Sequence, residues 1–242
     1  MLHQVNLDEL LFIDIETVSA KPIFSELTAA WQQLWEEKTK YSIPAGLLPS
    51  DYYEQRAGVM AEFAKVICVS LAYFRKQEKS YQLRVTSIHG DDETVVLGQL
   101  MNMLELLMKG QTRRYFTGHN IREFDIPFIC RRLLINGIPI PPYLDFQNLK
   151  PWEINLIDTF QLWRFGDFKN YTSLQLLAAA LNIPSPKDDI NGSQVGEVYW
   201  KEKNLPRIVH YCEKDVITVA NILLRFKGMP LLEKDQVVIA GG

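Results

Sequence analysis

No apolar run in the sequence approaches the roughly 18–20 residues that cross a bilayer as a helix. The amino terminus, MLHQVNLDELLFIDIET, sets acidic residues beside its apolar run and has no basic n-region, so it does not read as a signal peptide. Cysteine is scarce: the three residues, Cys68, Cys130 and Cys212, are odd in number, far apart and set among apolar neighbours. That pattern excludes zinc-ligand spacing and a disulfide framework, and it predicts buried free thiols in a reducing cytoplasm. Positive charge is also short, with 26 lysines and arginines against 29 acids and a net of −3. A protein that grips nucleic acid mainly by neutralising phosphates is usually basic, so such a partner would need a local patch or bound cations. Internal repeats and low-complexity tracts are absent, and no membrane partner is expected.

What is present suits one α/β domain: 242 residues, 47% of them hydrophobic, are ample for a sizeable core. Residues 10–17 (LLFIDIET), 65–75 and 81–88 read as strands, the latter two joined by the polar turn RKQEKS. A helix is expected from Asp92, with Val95, Val96, Leu100, Met103, Leu104 and Leu107 at helical spacing. A short strand at 114–118 leads through a loop into a helix that stops at Asn136-Gly137. INLIDTFQLW reads as a strand end and helix start, and TSLQLLAAALNI as a helix capped by Thr172 or Ser173. Residues 184–204 read as turn-rich and exposed, LPRIVHYCEKDVITVANILLRFKG as a long final helix, and the last dozen residues carry no signal. Residues 19–60 read as a helical insertion bordering the site. Early strands followed by helices predict a mixed sheet flanked by helices.

Three places carry chemistry. Asp14 and Glu16 interrupt an apolar strand two residues apart, so both project from one face while Ile13 and Ile15 enter the opposite core. Adjacent buried anions repel and cost desolvation energy unless compensated, and a hard divalent cation with oxygen ligands is the simplest compensation. The alternative is a solvated pair at an exposed strand end. Asn120 and Asp125, in TGHNIREFDIP, lie just past a strand, where α/β sheets often place functional groups, although Asp125 could equally start a helix. Tyr211 and Asp215, in HYCEKD, are four apart on a helix and hence on one face, as are many half-buried tyrosines and solvated aspartates.

In this order, FIDIET, TGHNIREFDIPFICRR and YCEKDVITVA resemble the DEDD exonuclease superfamily. They are most similar to the 3′–5′ exonucleases related to the proofreading domain of B-family DNA polymerases, over roughly residues 10–226. The resemblance implies an RNase H-like fold and a single 3′–5′ exonuclease-like domain over 1–242. It further implies that Asp14, Glu16, Asp125 and Asp215 bind two Mg²⁺ or Mn²⁺ ions, with Asp14 contacting both. The substrate implied is a single-stranded nucleic acid with a free 3′ end, DNA before RNA. One branch of the superfamily orients the attacking water with tyrosine, the other with histidine, and here His210 and Tyr211 are adjacent. Within a helix Tyr211 shares the face of Asp215 while His210 lies about 140° away, which assigns Tyr211 to the role. The competing reading is a catalytically inactive nucleic-acid-binding or scaffold protein that keeps the fold.

Several other residues are candidates. Lys109, Arg113, Arg114, Arg122, Arg131 and Arg132 form a local basic excess that would serve as a phosphate-tracking groove or simply as a solvated helix face. Asn120 would hydrogen-bond the substrate near its 3′ end or shape its loop. Asp158 would cap a helix or support the site from behind the metal ligands, and the cap is the reading preferred. Trp31, Trp35 and Tyr41 would pack against the body or stack unpaired bases.

Overall fold

The computed structural model describes residues 5–78, 80–109, 114–147, 149–150, 153–184 and 190–240. Its apolar runs become three long strands: β1 (Leu10–Ser19), β2 (Ala64–Lys76) and β3 (Tyr81–His89). Short strands β4 (Tyr115–Gly118), β5 (Leu156–Asp158) and β6 (Val237–Ile239) complete one sheet in the order β5-β4-β1-β2-β3-β6. β2 pairs antiparallel with β1 on one side and β3 on the other, whereas β4, β5 and β6 join in parallel. This is the mixed sheet of an RNase H-like fold. β6 falls in the final dozen residues; its pairing with β3 was not visible in a stretch so short and polar-flanked.

The helices are α1 (Ala29–Thr39), α2 (Pro49–Arg56), α3 (Glu93–Met108), α4 (Asp125–Ile135), α5 (Thr159–Arg164), α6 (Leu174–Ala180), α7 (Val195–Glu197) and α8 (Leu205–Phe226). Side chains cap them where polar residues allow. Asp92 accepts from the Thr94 and Val95 amides, Ser173 from Leu176, and Asn204 from Arg207 ahead of Pro206.

The alternation of β1 sorts its side chains into two cores. Leu11, Ile13 and Ile15 pack with α3 and α4 through Val96, Leu100, Phe128 and Leu133. Leu10 and Phe12 pack on the opposite face with Val216, Val219, Ala220 and Leu223 of α8. Helices α1 and α2 rest on a small aromatic core in which Trp35 is fully buried against Tyr53 and Phe63. Trp31 also packs edge-on against Phe63, while Tyr41 is exposed.

Residues 184–204 depart from the expectation of an exposed, turn-rich segment. Of the part described, Val195, Val198 and Tyr199 are buried, and α7 runs on as a π-helix over Val198–Glu202. The i, i+3, i+4 spacing of those three residues buries one face, a pattern hidden in sequence by the surrounding glycine, serine and asparagine.

Candidate active site

Along the α8-facing side of β1 the apolar row Leu10, Phe12 continues as Asp14, Glu16. The same change occurs on α8, where the row Leu223, Ala220, Val219, Val216 continues as Asp215, Cys212 and Tyr211. Two apolar surfaces that meet along most of their length therefore become polar at the same end. Helix α4 brings the remaining acid: Asp125, its first residue, is buried and accepts from the Ile15 amide at 3.1 Å through Oδ1. Asp125 is thus tied to the strand between Asp14 and Glu16 in sequence, besides beginning a helix.

Asp14, Glu16, Asn120, Asp125, Tyr211 and Asp215 all line one cleft of about 740 Å³. Burial pushes the Asp14 carboxyl well above the usual range, and the charges of Asp215 and Asp125 push further. Glu16 is raised by burial, then by Asp14 and Asp215. Asp125 rises from 3.8 to about 7, again mainly through burial, although hydrogen bonds from backbone amides oppose the change. Tyr211 donates to Asp215, and burial with the neighbouring acids holds its hydroxyl protonated far above the ordinary tyrosine range. His210, in contrast, is exposed on the outer face, 4.0 Å from Glu213.

Donor chemistry fits hard cations. Ligand atoms of Asp14, Glu16 and Cys212 lie within 4.8 Å of one another, and Asp125 and Asp215 add oxygens at the same cleft. Cys212 is buried beneath Asp14, with its thiol toward Asp14 Oδ2 at 3.3 Å and the Asp14 carbonyl at 3.5 Å. Among the described residues, Arg56 is the one permanently charged cation on the cleft wall. Two buried acids, Glu16 and Asp125, and two half-buried ones, Asp14 and Asp215, thus meet with little neighbouring positive charge, a balance that protons or added cations would restore.

The loop that carries Asn120 is held by Asp158. Its carboxylate caps α5 at the Phe160 and Gln161 amides, as expected, and also accepts from the amides of Asn120 and Arg122 at 2.9 and 3.1 Å. Asn120 takes a left-handed conformation, φ 63°, and its buried Oδ1 has no hydrogen-bond partner among the described residues. Gly118, just before the loop, admits no side chain: a Cβ there would meet Ile121 Cγ2 at 2.0 Å and the Ile13 carbonyl at 2.9 Å.

The basic stretch at 109–132 does not form one groove. Arg132 is buried and paired with Glu93, which also accepts from the Val66 amide and Asn136. Arg114 is half-buried, and Arg122 and Arg131 line a separate groove of about 390 Å³ beside α4. Arg113 lies outside the described residues. Helical spacing places Arg131 and Arg132 on different faces, so charge adjacent in sequence is divided between core and surface. Arg56, Val59, Tyr171, Leu174 and Asn191 were missed as cleft residues; no local sequence pattern marks them, because they arrive from segments far apart in the chain.

The family described as predicted 3′–5′ exonucleases related to the exonuclease domain of PolB matches residues 59–235. The chain belongs to this family. Its match includes Asp125, Tyr211 and Asp215 and begins after Asp14 and Glu16, which the fold returns to the same cleft. A solved structure of the family B DNA polymerase from the hyperthermophilic archaeon Pyrobaculum calidifontis is similar, with a TM-score of 0.51 and 15% identity. That alignment covers 90% of this chain and 24% of the polymerase, so the chain spans about a quarter of that protein's length. At this identity the likeness establishes the fold. No curated protein matches the chain. Among the described residues, no helix is long and apolar enough to cross a membrane.

Proposed function

We propose that the protein is a tyrosine-branch DEDD exonuclease that hydrolyses single-stranded nucleic acid from its 3′ end, with Asp14, Glu16, Asp125 and Asp215 as metal ligands. The observation that carries this reading is the meeting of all four carboxylates with Tyr211 in one cleft. A binding module gains little from clustering like charges at such desolvation cost. Residues 1–242 act as one exonuclease-like domain, with 19–60 as an insertion whose Arg56 and Val59 border the cleft.

Two Mg²⁺ or Mn²⁺ ions in this site would supply activation of water and stabilisation of the leaving 3′ oxygen. Four carboxylates balance about four positive charges, leaving a nearly neutral site open to the scissile phosphate. Tyr211 remains protonated, held by Asp215, and orients the attacking water. Asn120, on the cleft wall, hydrogen-bonds the substrate near its 3′ end. Arg56 supplies positive charge to the strand's phosphates, and Val59, Phe124, Tyr171 and Leu174 offer walls to unpaired bases. The relation to DNA polymerase exonuclease domains favours DNA over RNA.

The test is degradation of 5′-labelled single-stranded DNA and RNA with Mg²⁺ or Mn²⁺, comparing the wild type with Asp14→Ala. Stepwise shortening of the labelled strand by the wild type alone is expected. Absence of cleavage with every strand and both metals would sink the enzyme reading, and a ladder that persists in the variant would indicate a contaminating nuclease.

A further inference from the structure

A third cavity, of about 340 Å³, lies outside the acidic cleft, walled by Lys65, Asp91, Tyr199, Trp200, Lys203 and Leu205. Two ammonium groups converge there on one indole. Lys65 Nζ is 5.2 Å and Lys203 Nζ 5.0 Å from the centre of the Trp200 ring. Lys65 also sits 4.9 Å from the Tyr199 ring and donates to the Tyr199 hydroxyl at 2.8 Å and to the Asp91 carbonyl at 3.0 Å. The Asp91 carboxylate is turned to the Tyr199 hydroxyl, which donates to it at 2.7 Å. Among the described residues neither ammonium has a carboxylate within ion-pair distance, and the one acid on the wall, Asp91, reaches Lys65 through the Tyr199 hydroxyl.

The backbone is unusual at the same place. Lys203 ends the π-helical turn at Val198–Glu202 in a left-handed conformation, φ 55°, which favours glycine or asparagine over lysine. Strain of this kind persists where the surroundings impose it and clusters at binding sites. Burial lowers the Lys65 ammonium from its usual value; the charges of Asp91 and Glu93 oppose that change, and Lys203 adds to it more weakly. An anion bound between the two ammonium groups would offset the burial and the repulsion between them.

The cavity is linked to the cleft by structure. Trp200 Nε1 donates to Ser19 Oγ at 3.1 Å, and Ser19 ends the strand that carries Glu16 three residues earlier, roughly 10 Å away at strand spacing. One apolar cluster backs both places, with Val18, Val198 and Tyr199 at its centre and Trp200, Leu205 and Tyr211 packed on it. The segment that begins with Asn191 and Gly192 on the cleft wall ends with Trp200 and Lys203 on the cavity wall.

We propose that this cavity is a second phosphate subsite, in which Lys65 and Lys203 hold a phosphodiester of the strand whose 3′ end occupies the acidic cleft. The subsite rests on the exonuclease reading for the identity of its ligand. The phosphate lies on the 5′ side of the scissile bond, and the Trp200 indole with Leu205 gives the adjoining unpaired base an apolar wall. Positive charge is thereby supplied to the strand locally, in a protein whose net charge is −3.

The experiment is fluorescence anisotropy with 5′-labelled oligothymidylates of about 3 and about 15 nucleotides, within the range of single-strand site sizes. Both are titrated at several salt concentrations against an Asp14→Asn parent with Mg²⁺, and cleavage by the wild type is followed in parallel. Lys203 is exposed, so Lys203→Glu does not disturb the core. It is expected to lower the ratio of long-strand to short-strand affinity about tenfold and to reduce the long-strand salt slope by about 1. Lys203→Arg should restore both, and Lys65→Gln should act in the same direction as Lys203→Glu. A charge-reversed variant that binds the long strand like its parent at every salt concentration overturns the subsite while leaving the exonuclease reading intact. A parent that binds neither strand, together with a wild type that cleaves neither, overturns both.

Discussion

Asp14 stands where burial and two like charges act together, and its replacement separates stability from chemistry. Asp14→Asn removes a carboxyl whose ionisation burial and two like charges oppose, so the metal-free protein near neutral pH should melt higher, by about 2–4 °C per kcal/mol gained. Hydrolysis by the same variant should fall by at least on the order of 10²–10³, the scale of losing one preorganised electrostatic partner. Calorimetry and a labelled-strand assay on one preparation check both. Tyr211→Phe keeps the ring packing and loses the hydroxyl, and should reduce kcat by about 10² with little change in melting temperature. His210→Ala, at an exposed position, should leave turnover near wild type; the reverse outcome would move the water-orienting role to the histidine. The pH dependence follows from the raised carboxyls. Below about pH 4 Asp125 is protonated in both folded and unfolded chains and contributes no difference. As pH rises toward about 7 the unfolded chain ionises while the folded one retains its proton, so stability declines, and Asp14 and Glu16 act in the same direction. Without metal the melting temperature should therefore drop between pH 5 and 8. Added Mg²⁺ or Mn²⁺ should raise it more at pH 8 than at pH 5, which a thermal-shift series at fixed ionic strength would reveal.

At the scale of elements, the site depends on contacts that hold helix ends against strands. Glu93 accepts from Arg132, Asn136 and the Val66 amide, joining the start of α3 to the end of α4 and the start of β2. Glu93→Ala leaves Arg132 buried without its partner and should cost about 3–5 kcal/mol, measurable by denaturant unfolding. Its consequence for activity is indirect, because α4 also carries Asp125. Sequence spacing placed Glu93 at a helix N-terminus but attached no partner to it, since Arg132 lies 39 positions away. The same limit applies to Asp158: its capping role follows from LIDTF, whereas its grip on the Asn120 loop follows from β5 pairing in register with β4. The segment around Val195–Glu202 shows the opposite failure, in which a real apolar face was diluted by turn-forming neighbours.

Across the whole molecule, one sheet with two cores sets the site at the point where the α8-side core runs out of apolar residues. The aromatic cluster under α1 and α2 is separate from both cores, so it tests whether the outlying helices matter to the cleft. Trp35→Ala should cost about 3–5 kcal/mol, and it also removes the indole donor to the Pro49 carbonyl. With α2 loosened, Arg56 and Val59 lose their fixed place at the cleft, so KM for single strands should rise more than kcat falls. Limited proteolysis should show new cuts between residues 19 and 60; an unchanged KM would detach these helices from substrate binding.

Short periods and unfavourable charges are legible along the chain. Alternation put Asp14 and Glu16 on one strand face, and helical spacing put Tyr211 with Asp215 and left His210 outside. These are local facts, carried by a period of two or of 3.6 residues. Tertiary packing brings Asp125 to the Ile15 amide and Arg56 beside the acids, and divides the basic run at 109–132 between core and surface. Each of those depends on which distant elements pack together, and no local period records that choice.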